Sequence, residues 1–88
     1  MGIYRLDELE PRIAESAYVA ETATLIGSVT LGQRSSVWSQ SVLRADNESI
    51  EVGDDTNIQE GAVLHTDPGF PVKVASRRCA PVAVDATR

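Results

Sequence analysis

Histidine, cysteine, methionine and tryptophan each occur once in the 88 residues. One cysteine, Cys79, permits neither an internal disulfide nor a cysteine zinc cluster. One histidine, His65, leaves a single imidazole for metal or proton chemistry. Basic side chains are also scarce: eight Lys and Arg face thirteen Asp and Glu, a net charge of −5 with no basic run. That balance argues against nucleic acid or an anionic membrane surface as the main partner. No stretch is long and apolar enough to span a bilayer as a helix. The opening "MGIYRLDELE" is too acidic for a signal peptide, and Leu6 stands where a myristoylation signal wants Ser or Thr. A soluble cytoplasmic protein is therefore the expectation. Asn-Gly and Asp-Gly, the usual signals of a tight hairpin, are absent. The length suits one small domain with a thin core, for which oligomerisation is a common remedy.

What the chain does have is a beat of six. Large aliphatics fall at Ile13, Val19, Leu25, Leu31, Val37 and Leu43. The beat pauses for three residues, Asn47–Ser49, and resumes at Val52, Ile58 and Leu64. Four positions after most of these anchors stands a small or β-branched residue: Ala17, Ala23, Val29, Ser35, Ser41, Thr56 and Ala62. A helix would space its apolar residues by three and four. Six is even, so an extended chain returns the same side chain to the same face. Short strands separated by bends, each pointing one aliphatic inward, wind into a parallel β-helix. Three hexads close one triangular coil. The expected fold is all-β, a parallel β-helix of about three coils over residues 13–74, after a lead-in at 1–12 and before a divergent, disordered tail at 75–88.

Stacking follows from the same count. A coil repeats every 18 residues, plus three where the Asn47–Ser49 loop is inserted. Gly32 then lies under Gly53, a pairing of small residues at a tight corner. Trp38 lies under Gln59, and Arg44 lies under His65. Arg44, His65 and Asp46 are expected to share one outer face, with Gln59 one face back. Trp38 points outward and reads as interface packing, because a large exposed aromatic usually covers something. Asn57, just before an anchor, is expected to bond the backbone at a corner.

The stretch from about Ile3 to about Val74 resembles gamma-class carbonic anhydrases and the wider hexapeptide-repeat transferases. The resemblance rests on "LRAD" (Arg44, Asp46), "NIQEG" (Asn57, Gln59) and "VLH" (His65), in that order and spacing. It implies a left-handed winding, an exception to the usual hand of parallel crossovers. It also implies a homotrimer, carbon dioxide and bicarbonate as the small-molecule substrate, and zinc or iron held by three histidines between subunits. Three imidazoles leave a coordination position open, and zinc brings the pKa of a bound water to about 7. On the family's pattern His65 is the first metal ligand. Gln59 bonds the metal-bound water or bicarbonate, and Arg44 and Asp46 form an ion pair at the subunit interface. Gln59, Arg44 and Asp46 are thus the expected catalytic residues, with a purely structural role for the Arg44–Asp46 pair as the competing reading. Asp67, in "TDPGFP", is a weaker candidate for moving protons.

The family's two further histidines would fall at Val82 and Thr87, neither of which ligates zinc well. The tail "ASRRCAPVAVDATR" carries no hexad signal and no recognisable cap, so the chain reads as truncated relative to the family, with an incomplete metal site. Two other functions compete: a hexapeptide-repeat acyltransferase or thioesterase acting on coenzyme A esters, and a non-catalytic trimeric assembly module.

Overall fold

A computed structural model describes residues 2–66, 68, 69, 71–77, 79 and 80. It contains ten β-strands and, among the described residues, no helix. They are β1 (Gly2–Tyr4), β2 (Arg12–Ile13), β3 (Tyr18–Val19), β4 (Thr24–Leu31), β5 (Ser36–Val37), β6 (Val42–Val52), β7 (Asn57–Ile58), β8 (Val63–His65), β9 (Val72–Val74) and β10 (Cys79–Ala80). Every ladder between these strands is parallel. One face stacks β3, β5, β7 and β10. The second stacks β1, the first half of β4, the first half of β6, and β8. The third stacks β2, the second halves of β4 and β6, and β9. Three full turns carry the chain from β1 to β8. This is the parallel β-helix that the hexads call for, with the left hand that the resemblance implies.

The anchors form the core because an even repeat keeps them on the inner face. Leu25, Leu43 and Leu64 stack as register partners, each with no exposed surface. Val19, Val37 and Ile58 form a second column, and Leu31 and Val52 belong to a third that Ile13 and Val74 flank. The small residues four positions on fill the corners. Ser41, Thr56 and Ser35 are buried there, and each hydroxyl donates to carbonyl oxygen: Ser41 to Gln59 at 2.6 Å, Ser35 to Gly32 at 2.8 Å, and Thr56 with its one hydrogen shared between Asp54 and Ala75, both at 3.0 Å. A hydroxyl satisfied in this way can be buried at little cost. The expected Gly32–Gly53 pairing is present. A methyl group on Gly32 would lie 2.7 Å from the Gly53 carbonyl carbon, so no side chain fits between these coils.

Three details differ from the sequence reading. The residues Asn47–Ser49 do not leave the sheet as a loop. β6 runs unbroken through them, and the extra residues form a bulge: Gly27 pairs with Ala45, but Val29 pairs with Ile50. The lead-in contains β1, whose Ile3 is the register partner of Leu25. And β10, beyond Val74, pairs Cys79 and Ala80 with Asn57 and Ile58. Asp67 and residues 81–88, including Val82 and Thr87, lie outside the described residues.

A charged ladder climbs the corner between the third and first faces. Arg34, Asp55 and Arg77 occupy corresponding turn positions, all with φ between 54° and 61°. Arg34 Nε and its terminal nitrogen donate to the two Asp55 oxygens at 2.7 and 3.0 Å. The hydrogen bond from Arg34 comes first in holding the Asp55 carboxyl below its ordinary range, and the charges of Arg34 and Arg77 add to it. A depressed folded-state pKa gives stability that is complete above the unfolded carboxylate's value of about 3.9 and is lost as pH falls through the lower folded value. The destabilisation caused by Asp55→Asn should therefore be seen at neutral pH and shrink toward zero in acid. Thermal melts across that range check this, and added salt should blunt the neutral-pH effect because the pair is solvated.

Candidate functional site

The second face brings Arg44, Asp46 and His65 together, without Gln59. Leu43 and Leu64 point inward, so their neighbours on β6 and β8 point out. Arg44 and His65 are register partners on adjacent strands, which sets their backbones about 4.8 Å apart. Ile26 and Tyr4 continue the same column below Arg44. Two residues along β6, Asp46 Oδ2 lies 3.5 Å from Arg44 Nε. The pair is largely solvated, so its contribution to stability is small. His65 is half-buried.

Gln59 belongs to the first face, immediately after Ile58 of β7 and one corner before β8. Its backbone carbonyl accepts from Ser41 Oγ and from the Ala62 N–H, which fixes that corner. Below it, the half-exposed Trp38 packs against Tyr18, ring centroids 5.0 Å apart and tilted 46°. Trp38 Nε1 donates to Ser36 Oγ at 3.0 Å, and the Ser36 hydroxyl donates to Asn57 Oδ1. Asn57 is thus held by a side chain of the coil below. This contact exists because Ser36 and Asn57 are register partners.

The sequence reading missed a second polar cluster beside His65. Thr66 is buried, and its Oγ1 accepts from the backbone N–H groups of Asn47 and Glu48 at 3.4 and 3.1 Å. Asn47 Nδ2 donates to the Thr66 carbonyl at 3.1 Å and to Asp46 Oδ1 at 3.3 Å. Glu48 Oε2 accepts from the Gly69 N–H at 2.9 Å. Its only trace in the sequence is that the residues interrupting the beat are all polar.

A gamma carbonic anhydrase of Arabidopsis thaliana, described as mitochondrial, is 47% identical over 55 residues, which are 62% of this chain and 21% of that protein. A carbonic anhydrase of Geobacillus kaustophilus is 36% identical over 70 residues, 80% of this chain and 38% of that protein. Over this shared stretch the chain is similar to gamma-class carbonic anhydrases and their hexapeptide-repeat relatives. The crystal structure of a Bacillus cereus protein provisionally titled an acetyltransferase superposes with a TM-score of 0.81 at 37% identity, covering 83% of this chain and 42% of that one. A scan against protein-family profiles finds no match. The chain therefore spans about two fifths or less of these family members' lengths.

The described residues offer one of the family's metal ligands, His65, and not a complete set. Among the described residues no group of three or more His, Cys, Asp or Glu side chains could hold an ion. Beside His65 the register places Arg44, a cation that cannot ligate. One imidazole and a guanidinium do not make a three-histidine zinc site.

Proposed function

We propose that this chain is a gamma carbonic anhydrase-like protein that contributes one ligand, His65, to a metal site between subunits of a homotrimer. The family's reaction would be the reversible hydration of carbon dioxide to bicarbonate, and zinc or iron its metal. Arg44, Asp46 and Gln59 would surround that site. The observation that carries the reading is the pairing of Arg44 with His65 on one outer face, with Asp46 in reach of Arg44. Copies of these 88 residues bring one imidazole each, so they do not by themselves complete the family's ligand set.

The experiment is to restore the set. The step between the last two stacked coils is 22 residues, as in Ile50 to Val72 and Asn57 to Cys79. The same step from His65 reaches Thr87. Zinc is expected to pass through gel filtration bound to the Val82→His, Thr87→His double variant. It should be lost from the unsubstituted chain and from a triple variant that adds His65→Ala. Zinc retained without regard to His65, or by no variant, would count against the reading.

A second reading, transfer of acyl groups from coenzyme A esters, draws on the resemblance to the Bacillus cereus protein. Acetyl-coenzyme A serves as the control ligand in the same preparations. Saturable binding of it that survives His65→Ala would favour transfer chemistry over hydration.

A further inference from the structure

The bulge in β6 adds three residues to one coil, and the chain spends them on contacts with the next coil. Asn47 and Glu48 make four hydrogen bonds to Thr66 and Gly69, the segment that leaves the His65 end of β8. The two side chains act at different points. Glu48 reaches furthest along the loop, where its carboxylate takes the Gly69 N–H at 2.9 Å. A charged acceptor makes this the strongest single link in the set. Asn47 has two amide hydrogens. It aims one at the Thr66 carbonyl and the other at Asp46 Oδ1. The second oxygen of that same carboxylate faces Arg44 Nε. One amide therefore ties the plane of the Asp46 carboxylate to the backbone directly after His65.

We infer that Asn47 and Glu48 are positioning residues for the Arg44–Asp46–His65 face: Asn47 orients Asp46 toward Arg44, and Glu48 holds the loop that follows His65. The functional meaning of that face rests on the proposal above, but the clamp is a property of these contacts and is testable without metal. The six-residue beat is interrupted where these contacts form, and the inserted residues Asn47 and Glu48 make them. The bulge supplies polar residues at the edge of the face without moving Leu43 or Ile50 from the core. Thr66 completes the arrangement, because its buried hydroxyl gathers two backbone donors of the bulge.

The test is nuclear magnetic resonance on the full chain, reading the Gly69 amide and the Arg44 Nε–H. In Glu48→Ala the Gly69 amide should exchange with solvent about tenfold faster, the size expected for losing a bond to a charged acceptor. Glu48→Gln keeps an acceptor oxygen and should restore most of the protection. In Asn47→Ala the Arg44 Nε–H should exchange about threefold faster, a modest change because the ion pair is solvated. Asn47→Asp should be worse than Asn47→Ala, since it sets a carboxylate against Asp46 Oδ1 and the Thr66 carbonyl. A purely structural role would lower the melting temperature without moving the Arg44 signal selectively. The Arg34 Nε–H, on a distant corner, is the internal reference. An Arg44 signal that is unchanged in Asn47→Ala, or that moves together with Arg34, overturns the role of Asn47. A Gly69 amide unaffected by Glu48→Ala overturns that of Glu48. Failure of zinc to bind the restored variants would sink the functional reading and leave these readouts unaltered.

Discussion

Replacing Leu43 by alanine should remove about 2–5 kcal/mol of stability, the range for deleting a buried leucine whose neighbours cannot collapse. The site leaves them little room to do so. Leu43 is fully buried in the middle of β6, with Leu25 stacked on one side and Leu64 on the other. Those two are held in place by their own ladders, so the hole stays open. A domain of this size has about 5–15 kcal/mol in total, and the loss is a large share of it. Urea denaturation measures it as a lower midpoint with the slope unchanged. Val63→Ala is the comparison. Val63 lies on β8 beside Leu64 but faces outward, 45% exposed, and its loss should cost about 0.5 kcal/mol or less. Equal effects at the two positions would contradict the inward placement of Leu43.

The second large effect is expected at Gly27. Its φ is +79°, and a Cβ there would strike the Ala45 carbonyl oxygen of the next coil. Both demands come from the bulge, because Gly27 is the last pair before the register jumps from Ala45 to Ile50. Gly27→Ala should therefore cost about 3 kcal/mol or more: about 1–2 for the left-handed backbone, and the rest for a collision that only a shift of backbone can relieve. Gly61 separates the two terms. It has φ +72° but nothing within 4 Å of an added Cβ. Gly61→Ala should lose only the backbone part, about 1–2 kcal/mol. Thermal unfolding of the two variants side by side makes the comparison, and a Gly61 variant as damaged as the Gly27 variant would refute the collision.

Much of this architecture is legible in the sequence because a β-helix is periodic. Once Leu25, Leu31 and Leu43 fix the beat, the stacking of Arg44 on His65 and of Gly32 on Gly53 is arithmetic with one correction for the insert. The arithmetic fails where the period does. Ile50 and Val72 are core residues in line with Val29, yet the insert hides Ile50 from a count made in sixes. Ile3 pairs with Leu25 across 22 residues and remains 43% exposed, so no buried anchor signals β1. The polar contacts are harder still. Asn47, Glu48 and Thr66 are ordinary turn residues in a one-dimensional reading, and their partners become visible only when the coils are superposed. The site divides the same way. Arg44, Asp46 and His65 are motif residues at a fixed spacing, whereas the clamp beside them is tertiary.

In the described ladders every paired residue stands 18, 21 or 22 positions from its partner. No strand waits for a partner from the far end of the chain. The loop-closure entropy is met afresh at each coil and does not grow with the number of coils. Such a molecule can assemble the way a rope is wound, each turn laid on a finished one. Any three successive hexads can serve as the seed. The bulge at Asp46–Ser49, which ties two coils together by side chains as well as by backbone, would be a natural place for the winding to take hold.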